Sequence, residues 1–209
     1  VGRLGIPAAA IGGGMALVDD AKWWTSTRQQ WGQPVGKHQA VAKMISGYMA
    51  QLFAMKAMVN VACAFADHKN ADIRLEAAAA KYFCSETLWK MYDDYLQVRG
   101  GRGYERATSL YERGERPTSV EMAIRDMRVG RIFEGSSQVV HLIMARESLD
   151  THFKLVMPIL QPKPGQKLSK GEAVMKAAGF YSTWLPKLFM PGAGVKLDAP
   201  HLNGHNRKH

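Results

Sequence analysis

One carboxylate stands where side chains do chemistry. Glu134 lies in the run Ile132, Phe133, Glu134, Gly135, Ser136, Ser137, Gln138, at a glycine break between two stretches of helical periodicity. A carboxylate at such a joint, once partly desolvated, has its pKa raised and is suited to acting as a general base. Ser136 and Ser137 carry hydroxyls that can cap the exposed N–H groups of the helix that follows. The same local spacing also describes an ordinary surface glutamate at a helix end. A second candidate is the run from Gln97 through Gly100, Gly101 and Gly103 to Tyr104. Its glycines allow tight turns and let backbone N–H groups approach a phosphate or a ring. A plain helix stop explains it equally well. Because it follows a helical pattern and not a strand, it is not a Rossmann fingerprint.

The elements that must position these residues read as helices almost throughout. Val41, Ile45, Tyr48, Leu52, Met55, Val59, Ala62 and Ala66 recur in steps of four and three, a period no strand can use. This is one helix of about 30 residues and about 45 Å, with its methionines in the core. After a polar break at His68 to Asp72, a partner follows with Ile73, Ala77, Ala80, Cys84, Leu88, Met91 and Tyr95 on one face. Two long helices joined by so short a loop should run antiparallel. Ile6 to about Trp31 reads as a third helix, in which Gly12, Gly13 and Gly14 permit close approach of neighbours. Thr118 to Arg131 reads as a short helix opened by a Thr118/Glu121 capping box. A further helix begins after Gly135, so the chain is expected to be all-α, an up-and-down four-helix-bundle type.

Composition narrows the function classes. The 209 residues are 46% hydrophobic and 22% charged, ordinary for a globular protein with a substantial core. No uninterrupted apolar run approaches the ~18 residues of a membrane span, and the start lacks the basic flank and apolar block of a secretory signal. A chain beginning at Val1 is expected to be a piece of a longer one. Cys63 and Cys84 fall on apolar helical positions and read as free core thiols in a reducing compartment. Of the net charge of +10, +6 lies in the residues from Gln161 onward, with eight Lys or Arg against two acids. The body therefore lacks the concentrated basic face that nucleic-acid binding uses, and no metal-ligand cluster is expected.

Taken in order, the motifs form one pattern: Arg28 with Trp31-Gly32, His38-Gln39, Gln97 with Gly100-Gly101 and Gly103-Tyr104, Arg125-Asp126, Phe133 to Gln138, and Ala145-Arg146-Glu147. Across roughly residues 1 to 152 this resembles the C-terminal helical domain of the acyl-CoA dehydrogenases. The resemblance implies that the N-terminal helical and central β domains lie outside this chain. It implies FAD-dependent α,β-dehydrogenation of an acyl-CoA thioester to a trans-2-enoyl-CoA, as in fatty-acid β-oxidation. Glu134 matches the base that removes the α-proton while the β-hydrogen leaves as hydride to the flavin. Its own backbone N–H is among the donors to the thioester carbonyl.

Further roles follow from the resemblance alone. Arg28, Trp31, Gln97, Gly100 and Gly101 match residues that reach the FAD of a neighbouring subunit, with Trp31 where Phe is more usual. Ser136, in place of the usual Thr, and Gln138 are expected at the flavin. Arg3, Gly135 and Arg146 are expected on the substrate side. Gly2 occupies the position where some branched-chain and long-chain members carry their base. Arg125-Asp126 reads mainly as a structural ion pair. Expected partners are the acyl-CoA, electron-transfer flavoprotein and further copies of the chain in a dimer or tetramer. The expected location is the cytoplasm of a bacterium or the mitochondrial matrix of a eukaryote. An acyl-CoA oxidase shares base and flavin, and a DNA-binding alkylation-response flavoprotein shares the fold. Residues 153 to 209 form an extension whose apolar segment Phe180 to Met190 is expected to pack on the protein, with membrane-surface or partner contact as the alternative.

Overall fold

The computed structural model describes residues 2–68, 71–161 and 169–189. It is all-α, apart from one minimal hairpin. Helix α1 spans Gly2–Thr27, α2 Gln39–Asp67, α3 Arg74–Arg99, α4 Gly101–Tyr104, α5 Ala107–Glu112, α6 Val120–Val129, α7 Ser137–Leu160 and α8 Lys170–Phe189. Between α1 and α2 the strands β1 (Gln29–Gln30) and β2 (Gln33–Pro34) pair antiparallel, followed by a 3-10 turn at Val35–Lys37. The chain divides into two compact units, Val1–Met144 and Ala145–His209.

In the first unit α1, α2 and α3 pack against one another and α6 packs on α3. Side-chain pairs fix the directions. Tyr48 meets Tyr95 edge-on at 6.5 Å, while further along α2 the Met55 carbonyl faces the Cys84 thiol at 4.0 Å, so α2 and α3 are antiparallel as expected. Tyr92 donates to the Gly13 carbonyl and Tyr95 to Asp20, so α1 runs parallel to α3. A core of Leu17, Tyr48, Met55, Ala62, Cys84, Leu88, Met91 and Tyr95 fills the space between them. The glycines of α1 have the use expected of them, since a Cβ at Gly13 would lie 3.2 Å from the Leu88 side chain and one at Gly14 3.0 Å from that of Leu52. Burial pushes the Cys84 thiol up to about 12, a buried inert cysteine.

Five details depart from the sequence reading. Helix α1 stops at Thr27, where the Thr25, Ser26 and Thr27 hydroxyls bond back to helical carbonyls, and Trp31 sits on the hairpin turn instead. Thr118 forms no capping box, because its hydroxyl is taken by Asp20 at 3.0 Å, and α6 begins at Val120 without a side-chain cap. Arg125 and Asp126 make no ion pair with each other; both line an open surface cavity, as successive residues of a helix point apart. Cys63 is exposed, on the outer side of α2. Helix α2 is long and apolar enough to cross a membrane by length and composition, although no uninterrupted run signals it. Its Tyr48, Met55, Val59 and Ala62 stripe is buried in the protein core.

The second unit holds the later part of α7 and α8. His152 stacks on Tyr181 at 5.6 Å, shares a 3.0 Å hydrogen bond with its hydroxyl and meets Trp184 edge-on at 4.7 Å. Phe180, Tyr181 and Trp184 thus pack around His152 within the second unit, while Leu185, Leu188 and Phe189 are exposed and Met190 lies outside the described residues.

Candidate active site

Glu134 sits in the turn between α6 and α7 with φ +55°, in the left-handed region, and Gly135 follows at φ +100°. A non-glycine residue there is strained unless its surroundings hold it. The carboxylate hangs over the start of α1: a Cβ built on Gly2 would lie 2.8 Å from Oε2 and 3.2 Å from Oε1. Glycine at position 2 is therefore what leaves room for this pose. Glu134 is exposed, so this chain by itself does not supply the desolvation expected of a base at a helix joint. Ser137 does not cap α7 with its side chain. Its hydroxyl donates to Glu86, leaving the Ser136 hydroxyl and N–H without a partner among the described residues.

Two residues that the sequence reading missed hold this turn. Lys81 on α3 is fully buried, and its ammonium donates to the Gly135 carbonyl at 2.6 Å. Burial pulls its pKa below the usual lysine range and Arg3 works the same way, against Glu86 and Glu134, which favour its charge. Glu86, also on α3, accepts from Arg131 at 2.8 Å and from Ser137. Burial works to raise its pKa, but the hydrogen bonds from Arg131 and Ser137 outweigh it and keep the carboxyl below its ordinary value. Arg131 also stacks on Trp89 at 4.4 Å. A signal was present: Lys81 is in phase with Ala77, Cys84 and Leu88, the inward face of α3.

A second cluster forms a cleft of about 610 Å³ lined by Arg28, Trp31, His38, Gln97, Gly100 and Gly101 among others. Trp31 (φ +52°) and Gly32 (φ +76°) occupy the two central positions of a tight hairpin turn, the combination a type I′ turn requires. The turn presents the Trp31 ring, 85% exposed, with His38 edge-on behind it at 5.3 Å and bonded to the Gln30 carbonyl. Across the cleft α3 ends at Gly100, whose φ +58° and ψ −141° only glycine adopts readily. Nothing lies within 4 Å of a Cβ placed on Gly100 or Gly101, so their backbone is open to a ligand. Arg28 makes no ion pair among the described residues. Below the cleft the buried indole N–H of Trp24 and the Nε of Arg99 have no acceptor among the described residues. An anionic ligand with many acceptors suits this donor-rich setting, and a dinucleotide is such a ligand.

The cleft floor is fixed by a buried ion pair. Asp20 accepts from Arg99 at 2.8 Å, from Tyr95 at 2.6 Å and from Thr118. Arg99 also lies over the Trp24 ring at 4.5 Å. The structure thus gathers Arg28, Trp31, Gln97, Gly100 and Gly101 at one cleft and Gly2, Glu134 and Gly135 at the other site. Arg3 acts on Lys81 beside the latter, and Ser136 adjoins it. Gln138 is exposed on the first turn of α7, and Arg146 is an exposed residue of the second unit.

The sequence profile of the acyl-CoA dehydrogenase C-terminal domain matches residues 1–149. The chain belongs to that family. Among its relatives is FadE10 of Mycobacterium tuberculosis, described as a probable acyl-CoA dehydrogenase, 46% identical over 187 residues that cover 90% of this chain and 29% of that protein. That match is longer than the 149 residues of the family domain and so runs into the second unit. Mitochondrial isobutyryl-CoA dehydrogenase of Dictyostelium discoideum is 36% identical over 152 residues, 72% of this chain and 34% of that one. The structure of butyryl-CoA dehydrogenase from Megasphaera elsdenii superposes with a TM-score of 0.63 at 25% identity, over 71% of this chain and 36% of the other. The chain spans about a third of the length of the relatives it matches.

Proposed function

We propose that this chain carries the catalytic base and part of the FAD envelope of an acyl-CoA dehydrogenase, with Glu134 taking the α-proton of an acyl-CoA thioester. The observation that carries the reading is the pose of Glu134: a strained turn, held from behind by α3, swings its carboxylate over Gly2 of α1, which has no side chain to block it. A proton acceptor needs such a fixed approach more than it needs burial within this chain alone. Bound acyl chain and flavin would supply the desolvation that this exposed carboxylate lacks. FAD, when bound, supplies the acceptor for the β-hydride.

The residues present fit that group. Ser136 offers a hydroxyl and N–H, unpaired among the described residues, beside Glu134. At the other cleft Arg28, Gln97 and the open backbone of Gly100 and Gly101 suit a pyrophosphate and its adjoining rings, with Trp31 as an apolar wall. We assign this second cleft to the FAD of a neighbouring subunit, so that the working enzyme is a dimer or tetramer passing its electrons to electron-transfer flavoprotein. Exposed Met49 and Phe53 on α2 are in keeping with further burial between copies.

Glu134→Gln in the complete flavoprotein tests the reading. FAD and acyl-CoA binding should persist while anaerobic flavin bleaching by butyryl-CoA or palmitoyl-CoA slows by several orders of magnitude. Bleaching at a near-normal rate would overturn the assignment.

A further inference from the structure

Three side-chain attachments tie the turn that bears Glu134 to α3. Its flanks, Arg131 and Ser137, both end on the Glu86 carboxylate, and its centre, the Gly135 carbonyl, receives the Lys81 ammonium. The two α3 residues are five positions apart, so a single stretch of helix supplies both attachments. Between them lie the two consecutive positive φ angles of Glu134 and Gly135. Strain of this kind, on the order of 1–3 kcal/mol per residue, persists only where surrounding contacts over-determine the backbone.

We propose that Lys81 and Glu86 are the positioning residues of the base, together holding the Glu134 turn in its left-handed conformation and setting the electrostatic field at its carboxylate. The proposal rests on Glu134 being the base. Lys81 also acts on the neighbouring peptide. A cationic donor on the Gly135 carbonyl polarises the Gly135–Ser136 amide, and a trans peptide directs the Ser136 N–H to the opposite side, where it has no partner among the described residues. Lys81 therefore prepares a strengthened, outward-facing donor next to the base.

The field has a definite sign. The charged groups acting on Lys81 are Arg3 of α1, Glu86 of its own helix and Glu134 of the turn. Arg131 of the turn and Arg128 of α6 act on Glu86, and His141 of α7 packs tilted against Tyr82 beside Lys81. A cation near a carboxylate favours its ionised form, and an anion disfavours it. Removing the Lys81 charge should move the acid limb of the rate against pH upward. Removing the Glu86 charge should move it downward.

The test uses Lys81→Met and Glu86→Gln in the complete flavoprotein, with Lys81→Arg as the conservative variant and Glu134→Gln as control. Three quantities are read: flavin bleaching by butyryl-CoA or palmitoyl-CoA across pH, the affinity for FAD and acyl-CoA, and amide hydrogen exchange over residues 131–137. Lys81→Met should slow bleaching about 10- to 100-fold, the loss typical of a misplaced catalytic group, with binding changed little. Its acid limb should rise by about half a pH unit or more, Lys81→Arg should restore the limb, and exchange in the turn should speed up in both Met and Gln variants. Limbs that stay put or move together, or exchange that stays at the wild-type rate, would overturn the proposal. If Lys81→Met does not fold, the downward limb of Glu86→Gln and its faster exchange decide the matter. Near-normal bleaching by Glu134→Gln is a separate failure, that of the base assignment, and the exchange measurement still reports whether α3 holds the turn.

Discussion

Asp20→Ala should be among the most damaging single substitutions in the first unit. Asp20 is buried and accepts from Arg99, whose side chain is 1% exposed, and from Tyr95 and Thr118. Truncation leaves a guanidinium without a counter-charge in a setting that water does not reach, and its Nε is already unpaired. Breaking a buried pair in this way costs about 3–5 kcal/mol. Counting instead the donors left unsatisfied, at about 1–3 kcal/mol each, brackets the same range. For a domain of this size that is a fall of about 6–20 °C in Tm, or a loss of about two to nearly four orders of magnitude in the folding equilibrium. Urea unfolding followed by circular dichroism gives the number directly. The companion Asp20→Leu with Arg99→Met removes both charges together and should recover most of the loss, because an apolar replacement of the whole pair is often neutral. A single variant within about 1 kcal/mol of wild type, or a double variant no better than the single, would refute the reasoning.

Gly2→Ala should leave stability nearly unchanged, since the atom its Cβ meets is the mobile end of Glu134, yet flavin bleaching in the complete enzyme should slow by about tenfold or more as the carboxylate is displaced; equal rates would contradict the geometry. Trp31→Asn should raise Tm slightly, by the equivalent of about 0.5–1 kcal/mol, because Asn tolerates the left-handed turn position better. The same change should weaken FAD retention, measured by titration, if the ring walls a neighbour's flavin. Glu86 binds its proton more weakly folded than unfolded, so its contribution to stability is present above its ordinary value of 4.5 and is lost as pH falls through the lower folded value. Acid unfolding curves of Glu86→Gln should therefore be flatter than wild type in that window, and parallel curves would count against the link.

The long helices were legible because their apolar residues repeat with a period that only a helix can bury, and α2 and α3 extend almost as the periodicity of Val41 to Ala66 and Ile73 to Tyr95 requires. Errors arose where tertiary partners outbid local preference. Thr118 has the sequence of a capping residue, but a buried carboxylate 98 positions away claims its hydroxyl. Trp31 continued an apolar pattern that its backbone abandons for a hairpin, since Trp is not a residue that advertises a left-handed turn. Glu134 was singled out by its glycine neighbour, while its own positive φ and its proximity to Gly2 were invisible, because both depend on where α3 holds the loop. Lys81 is the opposite case: a lysine ordinarily faces solvent, although its register with Ala77, Cys84 and Leu88 puts it on the inward face.

The gap above Gly2 also constrains how such proteins can change over evolutionary time. A side chain at position 2 and the present pose of Glu134 exclude one another by less than 3 Å of clearance. The two positions cannot be occupied independently, so a substitution tolerated at one depends on what stands at the other. A lineage that placed a longer residue at position 2 would first have to shorten or redirect Glu134, or acquire both changes together. Residues 132 positions apart in the chain are thus expected to covary, because the geometry couples what each can be.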